Sequence, residues 1–528
     1  MQEKYIFSLP VWGNLYIENF LNISLPSQLA KNNIPYLLSK KCNIEYYIYT
    51  KEKEKKYFEN NNAILSLKKM AKVKFIYLDD TIEGDKYHAM TYAHSDTLIN
   101  RAKIGDYIVF TVSDAIYSNA FFKYAFDELK NNKKIMYMLG FRANPKLAEI
   151  CLSSFKKKDF SISIDSAELT RIAIENIHLS SESHLINKKF FTHWNSVLID
   201  TCGDGYIMKG FHLHPIVTKC TKENKTLKLN DSIDGGNFDM LNGVSDIEIG
   251  YINNSSKASM YTFELNKKRT LSVKNDREFN IFALADWMKN HSNKNHRKLV
   301  EKNYYLNIKN IDFCQKKINN FSRIIKSAKF LFENNLFFDD LIDIQYDYIK
   351  NNNKEITKKI ITKYIKNIKK YLLLSEKKEK LEKLEKLEIL NHKLNNIDDF
   401  FYLISEIINI LNVLGEGKGY FSIFSKEEYE LLLEKLALVP DNSVLYGAGD
   451  FGRLVYAILA KHLKKNVQYI IDDNSSVDSL DGCKIVKLQD TQIIKKKKYN
   501  IVLCTLNKDV KEEMIENIKK SFIDYEIF

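Results

Sequence analysis

The feature that most narrows the fold is an unbroken apolar run, Tyr107 to Val112, that stops abruptly at Ser113-Asp114-Ala115. β-Branched and aromatic side chains without polar alternation predict a parallel strand covered on both faces. In open α/β sheets, ligands bind in the crevice beyond the carboxyl ends of such strands. Asp114 is therefore the first candidate for a binding or catalytic carboxylate; its bland alternative is to cap the next helix. Ser118-Asn119 can cap a helix from Phe121 to Leu129. The run is one of a series. Tyr5 to Val11, Ile44 to Tyr49, Val73 to Leu78 and Lys134 to Leu139 read as further strands. Helical stretches fall between them: Leu15 to Leu29, kinked or ended by Pro26, a Lys/Glu-rich segment reaching about Met70, and Tyr87 to Ala102. Alternation at these lengths predicts a parallel sheet with crossover helices.

The apolar strand ending at Asp114, fourth in a β/α domain that opens Tyr5-Ile6-Phe7-Ser8-Leu9-Pro10-Val11-Trp12, resembles GT-A nucleotide-sugar glycosyltransferases. In that family an Asp-x-Asp motif holds a divalent cation, manganese or magnesium, that bridges the donor diphosphate. Ser113 and Ala115 depart from the pattern, so only Asp114 matches. The resemblance also implies that Pro10 and Trp12 in the first loop, and Asp79 and Asp80 after the third strand, hold the nucleotide base and ribose. Core packing is the alternative for Trp12, and helix capping or a solvated turn for the two aspartates.

A chain of 528 residues implies two or three domains. The formal charge of +13 comes mostly from dispersed Lys rather than from Arg and Lys clustered beside stacking aromatics, which argues against nucleic acid. Attraction to a membrane surface or to lipid phosphates suits the Lys patches better. Seven cysteines, an odd number without C-x-x-C spacing, argue against a disulfide framework and a structural zinc site, and so for a reducing compartment. Neither a secretory leader nor a membrane span is legible. The expected location is the cytoplasm, peripheral to the inner membrane.

Helical spacing returns at Pro145 to Phe155 and Asp165 to Ile177. Tyr206 to Phe211 then reads as a strand running into His212-Leu213-His214-Pro215. Two histidines one residue apart face the same side of an extended segment, which suits metal, diphosphate or acid–base work. The resemblance implies a late histidine as a further metal ligand, the place of His214; the alternative is one packed and one exposed histidine in a turn. The polar loop Asn230 to Asp239 offers Asp231 and Asp234 as acceptor-site groups or a general base, or is an ordinary turn.

Neither Gly nor Pro occurs from Tyr251 to Leu414, which predicts a helical region from about Asp276. Leu381, Leu384, Leu387, Leu390 and Leu394 mark a short amphipathic repeat there, a spacer or a homo-oligomer contact. Gly415 to Gly419 breaks it, and Ser425 with Glu428 forms a capping box for a helix to Leu438.

Val444-Leu445-Tyr446 then enters Gly447-Ala448-Gly449-Asp450-Phe451-Gly452 and a helix, the G-x-G-x-x-G phosphate turn in its proper context. Strand Val467 to Ile471 ends at Asp472, where a carboxylate can meet a ribose or sugar hydroxyl. This part resembles the small Rossmann-like modules of bacterial sugar-modifying enzymes, including the amino-terminal part of sugar acetyltransferases. That implies a bound nucleotide or nucleotide-sugar; a structural domain without ligand is the alternative.

The expected organisation is an α/β GT-A-like domain at 1–275, a helical region at 276–438 and a Rossmann-like domain at 439–528. The expected function is sugar transfer from a nucleotide-sugar to a glycan or lipid-linked acceptor in capsule, lipooligosaccharide or glycoprotein synthesis. Competing readings are a nucleotide-sugar-binding scaffold without catalysis, and a C-terminal enzyme modifying a nucleotide-sugar, which lacks a Tyr-x-x-x-Lys pair.

Overall fold

The computed structural model describes residues 2–78, 86–188, 191–192, 194–226, 241, 243–263, 279, 281–333, 359, 361–363, 365–370, 426–447, 452, 455–456, 458–473, 479–480, 483–488, 499–504, 508–521 and 525–527. The chain forms two compact units, Met1–Phe279 with Trp287–Ile325, and Asn280–Asp286 with Lys326–Phe528. Asp79, Asp80, Asp231, Asp234, Gly449, the leucine repeat, Gly415 to Gly419 and Ser425 lie outside the described residues.

The strands of the first unit are β1 (Lys4–Pro10), β2 (Asn43–Thr50), β3 (Lys72–Tyr77), β4 (Tyr107–Phe110), β5 (Ala115–Tyr117), β6 (Ile135–Met138), β7 (Arg142–Ala143), β8 (Val197–Cys202), β9 (Gly205–Gly210), β10 (His214–Lys219), β11 (Ile249–Ile252), β12 (Met260–Phe263) and β13 (Tyr304–Leu306). Seven of them make the main sheet in the order β11-β6-β10-β4-β1-β2-β3. Every neighbouring pair is parallel except those of β10, which runs antiparallel to both β4 and β6. The main sheet is mostly parallel, as expected, with one reversed strand inserted. Period-2 alternation divides the core. Tyr5, Phe7, Leu9 and Val109 pack on one face, and Ile6, Ile108 and Phe110 on the other. All four residues of β4 are buried, as an unbroken apolar strand demands.

Local departures have physical causes. The first helix runs Asn14–Asn19, widens into a π turn at Phe20–Ser24 and continues at Leu25–Gln28. Pro26 therefore neither ends nor breaks it, because it sits in the first turn after the π segment, where its missing N–H is tolerated. The expected long helix after β2 is a 3-10 segment, Glu52–Tyr57, followed by Asn62–Lys68. Ser118 and Asn119 do not cap Phe121–Lys130, whose N-cap is Ala120 without a side-chain bond. Asn33 supplies the missing acceptor from a distant segment, its Oδ1 taking the Phe122 N–H at 3.0 Å. Past Phe263, helices Ile281–His291 and Lys294–Leu299 fit the expected helical character, but β13 interrupts it and pairs antiparallel with β9.

Against expectation, Cys202 and Cys314 form a disulfide, with Cα atoms 6.0 Å apart and a sequence separation of 112. Cysteine parity reads nothing of tertiary approach. Here β13 lies beside the β8–β9 hairpin, so the chain after β13 passes the end of β8. A Cβ on Gly205 would stand 2.7 Å from the Asn307 carbonyl oxygen, so this approach requires glycine. The other five cysteines are buried thiols. Among the described residues no helix is long and apolar enough to cross a membrane.

In the second unit, β14 (Ser443–Tyr446), β15 (Val467–Ile471), β16 (Ser479–Leu480), β17 (Cys483–Val486), β18 (Tyr499–Leu503) and β19 (Tyr525–Ile527) form one sheet in the order β16-β17-β15-β14-β18-β19, parallel except for β16.

On β2 of the first unit, Glu45 is bound by Lys74 at 2.9 Å, Lys4 at 3.2 Å and the Tyr47 hydroxyl at 2.8 Å. Burial would raise its pKa, but hydrogen bonds from Lys74, Tyr47 and Lys4 outweigh burial and hold the carboxyl down at about 2. A depressed carboxylate stabilises the fold above its ordinary value of 4.5, and that stability is lost as pH falls toward about 2. Glu45→Gln is expected to cost about 1–2 kcal/mol at neutral pH, with the deficit shrinking as pH falls below 4.5 in urea unfolding curves.

Candidate functional site

The reversed strand builds the candidate site. Because β10 is antiparallel to β4, with Val217 opposite Val109 and Lys219 opposite Tyr107, its first residue arrives where β4 ends. That residue is His214, whose Nε2 lies 3.4 Å from the Phe110 carbonyl oxygen. Beyond Phe110, the Thr111 N–H donates to the Ser8 carbonyl at 3.0 Å, and the chain passes through Ser113 and the half-buried Asp114 into β5. The Asp114 carbonyl accepts the Phe263 N–H at 3.0 Å, so its backbone joins the small sheet of β5, β12 and β7. Tyr117 lies buried close by, its phenol pushed above the ordinary range by burial first, with Tyr46 and Asp114 adding to it. The Tyr117 hydroxyl stays neutral and accepts the Val112 N–H at 3.5 Å.

The first loop lies at the same edge, since β1 is parallel to β4. Gly13 takes φ +82, which L side chains rarely adopt, and its N–H donates to Glu54 Oε1 at 3.0 Å. Thr50 donates to the other Glu54 oxygen at 3.3 Å, fixing this buried carboxylate at the end of β2. Trp12 is partly buried against the core, as its packing alternative predicts, yet is not sealed off. Pro10 closes β1 and is buried.

Two residues here escaped sequence reading. His94 is buried, with its ring edge-on to Phe110 at 5.2 Å. Its signal was helical spacing, since it lies three residues after buried Thr91 and four before buried Leu98. Glu54 had no signal, because an acid within Lys51 to Lys56 reads as solvated.

His212 and His214 do not share a side. The chain bends at Phe211 and His212 before β10 begins, so the alternation expected of an extended segment starts only at His214. His212 Nε2 instead lies 3.0 Å from the His291 carbonyl oxygen, among the rings of Trp194, Trp287 and His296.

Among the described residues no three His, Cys, Asp or Glu side chains come close enough to hold a metal ion. Asp114 and His214 are at most a pair. A pair fits only a cation whose other positions are filled by diphosphate oxygens and water, the usual manner of magnesium.

In the second unit, Gly447 and Gly452 are the described glycines of the phosphate turn. Gly447 takes φ +111 at the end of β14, and a Cβ on Gly452 would stand 2.8 Å from the Gly447 carbonyl carbon. The Asp472 N–H donates to the Val486 carbonyl at 3.0 Å, placing Asp472 directly after β15, while Asp473 accepts the Leu488 N–H at 2.8 Å.

Residues 442–518 match the family described as the PglD N-terminal domain, a match that begins just before β14 and ends within helix Lys508–Ser521. No curated protein matches the chain. Solved structures similar to parts of it include S. aureus TarS, at 14% identity and TM-score 0.18 over 26% of this chain and 22% of that one. Another is mouse xyloside xylosyltransferase 1 in its apo form, at 14% identity and TM-score 0.18 over 29% of this chain and 56% of that one. This chain therefore spans about a fifth of the first and just over half of the second. Likenesses this shallow carry no argument about activity.

Gly452→Ala is expected to lower the unfolding midpoint of the second unit by several degrees, since the added methyl must displace Gly447 backbone rather than a side chain. Calorimetry of the full chain, with Glu434→Gln at an exposed helix position as control, checks this.

Proposed function

We propose that the chain is a glycosyltransferase that moves a sugar from a nucleotide-sugar to a glycan or lipid-linked acceptor of a bacterial surface polymer, such as capsule, lipooligosaccharide or a glycoprotein. The observation that carries this reading is the reversed strand β10, which delivers His214 to the strand end that bears Asp114. The first loop, with Trp12 and Gly13 held by Glu54, opens at the same edge.

In this reading the base of the donor lies against Trp12 and Pro10, with Asp79 and Asp80 at the ribose. Asp114 and His214 face the diphosphate. A ring N–H of His214 donates a hydrogen bond to the departing phosphate, while Asp114 either positions a divalent cation against it or accepts from a donor hydroxyl. A bound magnesium or manganese ion would neutralise charge on the leaving diphosphate. The acceptor hydroxyl oxygen bonds to the anomeric carbon as the bond from that carbon to the phosphate oxygen breaks. Its proton passes to a carboxylate, for which Asp231 and Asp234 are the candidates. His212 takes no part in this set. In the second unit, Gly447, Gly449, Gly452 and Asp472 form a seat for a nucleotide or nucleotide-sugar.

The Ser113-Asp114-Ala115 sequence, with one carboxylate where the resembling family carries two, favours a second reading, a nucleotide-sugar-binding scaffold. The two separate by experiment. A panel of nucleotide-sugars, with and without manganese, is expected to raise the unfolding temperature for one donor class. With that donor, Asp114→Ala is expected to lower release of free nucleotide at least about a hundredfold. Stabilisation with equal, background release in both proteins supports the scaffold instead.

A further inference from the structure

Beside the candidate site lies a corner of five rings that the transfer chemistry does not use. Trp194 precedes β8, His212 precedes β10, Trp287 and His291 belong to helix Ile281–His291, and His296 to helix Lys294–Leu299. Trp287 and His291 stack at 15° with centroids 5.7 Å apart. Trp194 stands nearly perpendicular to Trp287, at 84° and 5.5 Å, and packs against His291 at 4.8 Å and His212 at 6.0 Å. His212 and His296 lie 4.5 Å apart. Trp287 is 3% exposed, and its Nε1 has no hydrogen-bond partner among the described residues. Trp194, in contrast, is 48% exposed.

An indole held by three neighbouring rings yet half open to water forfeits part of the hydrophobic gain of burial. What it provides is a rigid, preorganised face. Beside it His212 Nε2 meets the His291 carbonyl oxygen at 3.0 Å, and the exposed His291 ring borders the indole, so the apolar face has a polar rim. A hexopyranose has the complementary make-up, with polarised C–H bonds on its flat face and hydroxyls at its edge. A cation would also suit an indole face, so a cationic ligand is the competing occupant that the test includes.

The location adds to the chemistry. His212 and His214 are separated by Leu213 alone, and two extended residues reach about 7 Å. The ring corner is therefore tied closely to the edge where His214 lies.

We propose that Trp194, backed by Trp287 and flanked by His212 and His291, is a stacking platform for a hexopyranose unit of the acceptor glycan. This deepens the transferase reading and rests on it for the word acceptor; the carbohydrate-binding surface itself does not.

The test uses the full chain and saturation-transfer NMR of the ligand protons, a readout that survives the loss of Trp194. The probes are methyl α-D-glucopyranoside, methyl β-D-galactopyranoside and methyl N-acetyl-β-D-glucosaminide, with choline chloride as the cationic arm. A saturable signal with at least one glycoside is expected, weakened about tenfold or more by Trp194→Ala and largely restored by Trp194→Phe. Phe313→Ala, which removes a ring that is 85% exposed elsewhere, is expected to bind like the unaltered chain. No saturable signal with any glycoside, an unchanged response in Trp194→Ala, or a response to choline alone overturns the platform. Glycoside binding that depends on Trp194 in a protein that turns over no nucleotide-sugar keeps the platform and removes the transferase reading. Turnover without any glycoside response does the reverse.

Discussion

One strand running the wrong way organises the first unit. In a wholly parallel sheet every strand begins at the amino edge, so only loops that follow strands reach the crevice. By entering antiparallel between β4 and β6, β10 presents its own beginning at that edge, and a residue from late in the chain meets the end of a strand made a hundred residues earlier. The insertion is stabilised by burial on both sides. Ile216 and Val217 are buried, and the register shift between Pro215 and Val217 on the β6 side accommodates a proline that cannot donate to the ladder. His214 is placed by the pairing of β10 with β4 and β6, and its Nε2 lies 3.4 Å from the Phe110 carbonyl oxygen.

Two carboxylates on neighbouring parts of the sheet show how position decides role. Glu45 is surrounded by two lysines and a tyrosine hydroxyl, and its charge is spent on holding β1, β2 and β3 together. Glu54 accepts from the backbone of the first loop and from Thr50, so its work is to hold Gly13 in a conformation that leaves Trp12 partly open. One supports the fold, and the other shapes the rim of the crevice.

The chain's periodicities announced five of the seven strands of the main sheet, β10 and β11 being the two they missed. Tyr5 to Val11, Ile44 to Tyr49 and Tyr107 to Val112 became strands within a residue or two, because short apolar runs with β-branched and aromatic residues have few other solutions. Gly447 and Gly452 were legible because their turn needs a positive φ and a missing Cβ, demands that only glycine meets. What escaped depended on partners far off in sequence. Asn33 capping Phe122, Glu54 gripping Gly13 and Cys314 reaching Cys202 all join segments whose proximity no local pattern encodes. The histidine pair failed differently. The expectation assumed an extended backbone through His212, and a bend there sent one ring to the tryptophans and the other to the strand end.

The bond between Cys202 and Cys314 closes a covalent ring of chain that includes His212, His214, Trp287, His291 and His296. A protease that severs any one peptide link inside that ring therefore leaves a molecule of unchanged mass apart from one added water. Its two fragments would travel as a single band on a denaturing gel and separate only after a thiol is added.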